Sequence, residues 1–397
     1  MNRIELLSPA GNLDKLKIAI MYGADAVYIG GKKFSLRARA SNFDLDDIKE
    51  ACAFAKDYNA KVFVTMNIIP HDEDYEGLEE YLEFLESVGV SAIIASSMHI
   101  VKTALRIRRK MEVHLSTQLS ITNSHTCNYY KDLGVDRVVL ARELDLDQIE
   151  NVRRKTDVGL EVFIHGGMCA SYSGRCMLSN HSVNRDANRG GCAHSCRWNY
   201  NLIKDNDTIN KDSYFNFGAR DLSALQAIPR LIDMGIDSLK IEGRMKSEYY
   251  IATVVRTYRK FIDDYIANKN IDYEYYYEEL KKAENRLAST GFLFGDVTVK
   301  EQLYDRDEHP TKEFVGVIVE YDGNVATIEQ RNYFEPGDEI EVFGPNIDNF
   351  RFIVQEIKDE DGNLLDAARH PKQIIKIAIP FGVTKNDMLR LVKKKQF

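Results

Sequence analysis

Apolar and polar positions along the chain fall into short strand-like runs separated by helical stretches. YGADAVYIGG (22–31), VGVSAIIASS (88–97), LGVDRVVLAR (133–142) and MGIDSLKIEG (234–243) are variants of one phrase. Each has a glycine, two or three further residues, then a β-branched apolar run that ends in small or polar residues. The glycine suits a helix C-cap in the left-handed region, and the run after it suits a strand buried on both faces. IELLSPAG (4–11), KVFVTMN (61–67), EVHLSTQ (112–118) and LEVFIHG (160–166) lack the glycine and fill the gaps, which makes eight candidate strands. Between them LDKLKIAIM, DLDDIKEACAFAKD, YEGLEEYLEFLESV and DLDQIENVRRK place apolar residues three and four apart, the period of amphipathic helices. Such alternation predicts an α/β fold of parallel strands with right-handed crossovers, and eight units close a TIM-type (β/α) barrel. A doubly wound open sheet is the alternative. No G-x-G-x-x-G follows the first strand, which weighs against its dinucleotide-binding form.

Past the eighth run the pattern changes twice. Residues 247–290 read as strongly helical, with SEYYIATVVRTYRKFIDDYIANK followed by an acidic, tyrosine-rich helix. From about 311 the chain alternates in short strands, and YDGN and DEDGN mark hairpin turns. The expected organisation is a barrel domain over 1–310, with a cysteine-rich insertion at about 166–200, and a small β-barrel domain over 311–397.

In a barrel the strand C-termini build the active-site face. Here these ends carry Ser8, Asn67, Ser97, Gln118, Arg142, His165 and Glu242. The bland alternative is that strand ends are simply where polar residues begin.

Composition narrows the class. A hydrophobic share of 44% over 397 residues allows a sizeable core. No stretch approaches the ~20 apolar residues of a membrane span, and the N-terminus has no apolar signal core. The expectation is a cytoplasmic protein with no membrane partner, whose oligomeric state the sequence leaves open. A net charge of -8 argues against a general polyanion binder, though not against a local basic groove.

Four of the six cysteines crowd one stretch: Cys169, Cys176, Cys192 and Cys196, spaced C-x6-C-x15-C-x3-C. In a reducing compartment such clustering favours metal or catalysis over disulfides. The spacing matches neither paired zinc knuckles nor the usual ferredoxin patterns, but four soft thiolates suit an iron–sulfur cluster or a closed zinc site. Buried, inert cysteines are the alternative. Glycines 166, 167, 174, 190 and 191 allow a tight wrap. Arg175, Arg185, Arg189 and Arg197 stand against Asp186 alone, so they would offset a negatively charged cluster or bind an anionic substrate beside it.

EVFIHGGMCASYSGRCMLSN resembles the signature of the collagenase-like peptidases, peptidase family U thirty-two. ELLSPAGNLDKLKIAIMYGADAVYIGG, LRARASNF, HLSTQLSITN, RDANRGGCAHSCRW and KIEGRMKSEYY resemble further family blocks, and GDEIEVFGP and DAARHPKQ resemble its extra C-terminal domain. The likeness is strongest to the bacterial tRNA 5-hydroxyuridine synthase branch. It implies an oxygen-independent, prephenate-linked hydroxylation of the tRNA wobble uridine at carbon five. It also implies a four-iron four-sulfur cluster on Cys169, Cys176, Cys192 and Cys196; some relatives take the fourth ligand from further along the chain. Zinc is the alternative metal, in a scaffold that only binds RNA. A peptidase is the other alternative, with Cys169–His165 or Cys196–His194 as a conceivable nucleophile pair. Neither an H-E-x-x-H nor a G-x-S-x-G motif is present.

For a small dicarboxylate such as prephenate, Arg37, Arg39, Arg142 and Arg244 each follow a predicted strand, and arginine pairs well with carboxylate. Arg142, Gln118, Glu242 and His165 are the candidate catalytic residues, orienting groups or exchanging protons at the rim. Lys246 joins Arg175, Arg189 and Arg244 as a candidate substrate contact. For the anticodon region of tRNA, residues 240–260 hold six Lys or Arg against two Glu, with Tyr249, Tyr250 and Tyr258 placed to stack unpaired bases. A solvated basic helix face is the alternative there. The terminal LVKKKQF would graze phosphates or remain a solvated tail.

Overall fold

A computed structural model of the chain describes residues 4–36, 42–210, 214–283, 286–295, 297–298 and 314–392. All eight apolar runs become strands of one closed barrel. The first seven are β1 (Glu5–Pro9), β2 (Ala26–Gly30), β3 (Lys61–Met66), β4 (Ala92–Ala95), β5 (Glu112–Leu115), β6 (Arg137–Val139) and β7 (Gly159–Gly166). Each is parallel to the one before it. The chain then forms a hairpin, β8 (Ile203–Lys204) and β9 (Asp207–Thr208), and a short strand β10 (Asp221–Ser223). Finally β11 (Ser238–Ile241) pairs in parallel with both β7 and β1 and closes the ring. The strand β10 runs antiparallel beside the end of β7, and β12 (Ala288–Ser289) adds to its edge.

Helices α1 (Leu13–Met21), α2 (Leu45–Asp57), α3 (Leu78–Ser87), α4 (Met98–Ile107), α5 (Ser124–Asp132) and α6 (Leu146–Arg153) make the crossovers. Their starts are set by side chains that accept from otherwise orphaned amides. Asn12 and Asn123 cap α1 and α5, and Asp44 and Asp145 form capping boxes with Asp47 and Gln148. The glycines of the repeated phrase, 23, 89, 134 and 235, all take positive φ, as a left-handed C-cap requires.

Paired charges fill the end of the barrel where the strands begin. Glu161 is wholly buried and accepts from Lys240 at 2.7 Å, and Arg137 lies between Glu161 and Glu5. His114 is buried edge-on to Phe63 and meets Glu112 at 2.8 Å. Buried charges persist only when paired in this way. The chemistry-bearing face is therefore the opposite one, where the strands end.

Two short helices, α7 (Leu178–Val183) and α8 (Ile228–Asp233), lie between β7 and β11; α9 (Glu248–Ile266) and α10 (Tyr273–Lys281) follow. The C-terminal strands are β13 (Phe314–Tyr321), β14 (Val325–Gln330), β15 (Glu339–Phe343), β16 (Phe350–Ile353), β17 (Ile357–Lys358), β18 (Leu364–Leu365), β19 (Ile374–Ala378) and β20 (Met388–Leu391). They form one antiparallel sheet in the order β16-β15-β20-β13-β14-β19-β17-β18, a half-barrel around its own core. The YDGN and DEDGN turns join β13 to β14 and β17 to β18, as their residues predict.

This sheet packs against α9 and α10, and the contact corrects one expectation. Tyr249, Tyr250 and Tyr258 are buried, so none can stack a base. Arg256 donates to the Gly344 and Ile347 carbonyls at 2.7 and 2.6 Å, and Lys260 pairs with Asp348. Arg259 is buried between Asp25 and Asp263, and Lys240 lies inside the barrel. The basic, tyrosine-rich stretch is thus mostly an internal and interdomain surface. Beneath it, Arg390 joins Glu279 and Glu341 at 2.8 and 2.5 Å, with Lys282 on both carboxylates. No helix among the described residues is long and apolar enough to cross a membrane.

Candidate active site at the barrel mouth

The chain leaves the barrel at Gly166, and only glycine fits there. Its φ is +104°, and an added Cβ would lie 2.2 Å from the Glu242 carbonyl oxygen. The close approach welds the end of β7 to the end of β11, where the Glu242 amide donates to the His165 carbonyl at 2.8 Å. From this point the cysteine loop spreads over the mouth. Arg142, lying over the Phe163 ring at 3.8 Å, donates to the Gly167 carbonyl at 2.7 Å. Glu143 accepts from the amide and hydroxyl of Ser173 at 2.6 and 2.9 Å and so fixes the turn after Cys169.

Further on, Asn188 brackets the Cys176 peptide, accepting from its amide at 3.2 Å and donating to its carbonyl at 3.0 Å. The Asn188 carbonyl accepts from the Ile69 amide at 3.0 Å, which pins the loop to the segment after β3. Arg189 grips both oxygens of Asp74 in that same segment. Arg175 reaches the Gln118 carbonyl at 2.5 Å. The Gln118 side chain accepts from Asn67 at 3.3 Å and from Ser116.

The six cysteines separate into two kinds. Cys52 and Cys127 are buried, and burial pushes their thiols up to about 12 and about 11. The four loop cysteines are exposed or half-buried. Burial raises the Cys196 thiol, Arg197 opposes the rise, and Cys169, Cys192 and Cys176 add to it, so all four lie within one electrostatic neighbourhood. Backbone amides point at two of the sulfurs: Ser171 at Cys169 (3.4 Å) and Leu178 at Cys176 (3.3 Å). Among the described residues, no three His, Cys, Asp or Glu side chains stand close enough to hold a metal ion. The thiols form an open group rather than a closed cage.

Sequence reasoning missed Asp221, which joins this loop to the rest of the mouth. It opens β10, is buried, and faces three cations: Arg197 at 3.9 Å, Lys246 at 3.7 Å and Arg286 at 3.7 Å. Its Oδ1 is buried and accepts no hydrogen bond. Burial lifts its carboxyl above the ordinary range; Lys246 and Arg197 pull the other way, and nearby Glu242 adds to the rise. Glu242 itself accepts from the Tyr28 hydroxyl at 2.8 Å.

Other expected residues sit deeper. His165 is buried, its Nδ1 3.2 Å from the Tyr258 hydroxyl. Burial, reinforced by the Lys246 charge, holds the ring down to about 3, so it is neutral. Arg244 is buried beneath the mouth and donates to Ser35 at 3.0 Å and to the Leu36 carbonyl. Arg37 and Arg39, like residues 393–397 of the basic tail, lie outside the described residues. Beside the loop, α5, α6 and Tyr172 line a groove of about 530 Å³ with Asn123, His125, Gln148, Asn151 and Lys155 in its walls.

Comparison with known proteins agrees with the resemblance read from the motifs. The family model "Peptidase family U32" matches residues 11–303, and "Peptidase family U32 C-terminal domain" matches 310–390. A tRNA hydroxylation protein P1 of Bacillus subtilis (strain 168) is 48% identical, covering 97% of this chain and 94% of its own. A 23S rRNA 5-hydroxycytidine C2501 synthase of Escherichia coli (strain K12) is 40% identical over 68% of this chain and 40% of its own. A collagenase of Porphyromonas gingivalis (strain ATCC BAA-308 / W83) is 31% identical over 100% of this chain and 99% of its own.

Proposed function

The chain belongs to peptidase family U32, and on that premise we propose that it acts on RNA, hydroxylating carbon five of a wobble uridine in the anticodon region of tRNA without molecular oxygen. One observation carries the reading: four of the six thiols lie, exposed or half-buried, on a single loop that Arg142, Glu143, Gln118 and Asn188 anchor over the barrel mouth. The names of two relatives, a tRNA hydroxylation protein and an rRNA hydroxycytidine synthase, support RNA as the substrate. Replacing the C5–H by C5–OH takes one oxygen atom from a water-level hydroxyl donor and releases two protons and two electrons, so the reaction needs a two-electron acceptor as co-reactant; prephenate is the small dicarboxylate linked to it in this reading.

In this reading Cys169, Cys176, Cys192 and Cys196 hold a four-iron four-sulfur cluster. The donor chemistry suits such a cluster, with soft thiols, amides directed at two of the sulfurs and Arg197 to offset negative charge, while the sulfurs stand open and would have to draw together around it. When bound, such a cluster supplies a redox-active centre. The chain's own residues do the rest. Arg142, held over the Phe163 ring and bonded to the Gly167 carbonyl, offers a fixed guanidinium at the rim. Glu242 and Gln118 orient groups or exchange a proton at the strand ends, and Arg175 and Lys246 add positive charge for carboxylate or phosphate. His165 is neutral and braces the rim through Tyr258. A peptidase reading, which the collagenase relative would suggest, needs a base beside a cysteine; His165 is buried against the Tyr250 and Tyr258 rings, whereas Cys169 is exposed.

Mass spectrometry of tRNA nucleosides from a strain lacking this gene and any redundant hydroxylase tests the proposal. Loss of 5-hydroxyuridine and its derivatives, restored by the wild-type gene but not by Cys169→Ala, is the expected result. An unchanged nucleoside profile overturns it. Iron and sulfide assays on anaerobically purified protein test the cluster, and stoichiometric zinc in their place would remove the redox role.

A further inference from the structure

The groove of about 530 Å³ between α5 and α6 has no part in the cysteine site, yet it touches the same loop. Its size falls among sites that enclose small ligands, roughly 300–1,000 Å³. Of the residues around it only Leu144 and Val152 are aliphatic, and both are buried. The rest of the lining is polar, so the groove is not a gap in the core. Tyr172, three residues past Cys169, lines it and is 54% exposed. Glu143 lines it too and holds the next residue, Ser173, through its amide and hydroxyl.

The chemistry of the lining indicates the occupant. The Asn123 side-chain oxygen is spent on the amide and hydroxyl of Thr126, at 2.9 and 3.1 Å, and the Gln148 oxygen on the Asp145 amide at 3.1 Å. Each side chain keeps its NH2 group, which only donates. The Asn151 amide and the Lys155 ammonium meet no partner among the described residues. Glu143, the one acid of the lining, already accepts twice from Ser173. Asp147 and Glu150, on the same helix as Gln148, pair with Arg230. The groove thus offers several hydrogen-bond donors, the His125 imidazole, one permanent cation and one exposed aromatic face. A single nucleotide matches that set, with acceptor atoms on its base edge, one phosphate and a flat face to stack. A dicarboxylate calls for a second permanent cation, and a peptide strand brings as many donors as acceptors.

We infer that this groove takes one nucleotide of the RNA beside the target base, with its base stacked on Tyr172 and its phosphate at Lys155. The inference deepens the RNA reading above and rests on it. The groove gives the protein a second, non-reacting hold on the RNA next to the cysteine loop.

The test measures the affinity of a labelled RNA stem-loop for the full-length protein and for variants that keep native circular dichroism. Tyr172→Ala should weaken binding roughly 5- to 150-fold, the worth of one stacked base, while Tyr172→Phe keeps the ring and should bind as the wild type does. Lys155→Ala, which leaves the cysteine loop untouched, should weaken binding and flatten the slope of log affinity against log salt by about 0.7. Wild-type affinity in either Tyr172→Ala or Lys155→Ala overturns the site and leaves the RNA reading standing; where Tyr172→Ala alone loses affinity, the effect lies in the cysteine loop. Displacement of the RNA by prephenate that Lys155→Ala abolishes would give the groove to the dicarboxylate and overturn the nucleotide. No RNA binding in any form defeats the RNA reading itself.

Discussion

Replacing Asp221 with Asn should damage function without damaging the fold. The side chain keeps its size and loses its charge. At neutral pH the buried carboxylate faces three cations at 3.7–3.9 Å, each attraction being worth on the order of 4 kcal/mol at the effective dielectric near a protein surface. Against this stand a desolvation penalty of several kcal/mol, Glu242 beside it, and the mutual repulsion of the cations. The carboxyl is raised above its ordinary 3.8, which says that the unfavourable side wins. The native state thus binds this proton more tightly than the unfolded chain does. The group costs stability once ionised, and the native state recovers that cost as pH falls through the raised value. Asp221→Asn should therefore be neutral or up to about 2 kcal/mol more stable at pH 7, as replaced functional charges often are. Arg197, Lys246 and Arg286 would lose their common partner, and a displacement of about 1 Å at the mouth costs roughly 100-fold in rate. Thermal unfolding gives the first quantity and formation of the hydroxylated nucleoside gives the second. A loss of more than about 1 kcal/mol would refute the electrostatic argument, and full activity would refute the positional one.

Two further outcomes follow from the packing. Arg390→Met strips the interdomain carboxylates Glu279 and Glu341 of a buried partner and should cost about 3–5 kcal/mol at pH 7 in urea unfolding. In the wild type, Glu341 is held down from 4.5 to about 2, so its contribution is fully present above 4.5 and lost as pH falls towards 2; the gap between the proteins should close over that window. Gly166→Ala forces a left-handed alanine into contact with the Glu242 carbonyl; it should destabilise by at least about 2 kcal/mol, and wild-type thermal stability would contradict the weld between β7 and β11.

Much of the fold was legible because its signal is local. The repeated glycine-to-apolar phrase and the runs between give all eight barrel strands, since parallel strands buried on both faces need uninterrupted apolar runs. Residues 240–260 misled because a basic, tyrosine-rich helix reads the same whether water or another domain covers it. The sign was in the pattern: Ile251, Ala252, Val254 and Val255 sit among buried tyrosines, and a helix apolar on nearly every side is enclosed. The four cysteines stand out by type alone. Asp221 does not, because its partners Arg197, Lys246 and Arg286 come from three separate segments that only the folded chain brings together.

The way the cysteine loop leaves and rejoins the barrel has a consequence for how such proteins diversify. It departs at Gly166 and returns at Leu222, and these two residues are register partners in adjacent antiparallel strands. Its ends are thus already joined by the sheet, and lengthening a closed loop costs little, about 0.6 kcal/mol per doubling. Everything from 167 to 220 is a cassette in one socket. A loop of another length could enter at the same two residues with the barrel strands unchanged, provided that it met Glu143, Gln118, Ile69 and Asp74, the barrel-side residues that hold the present one.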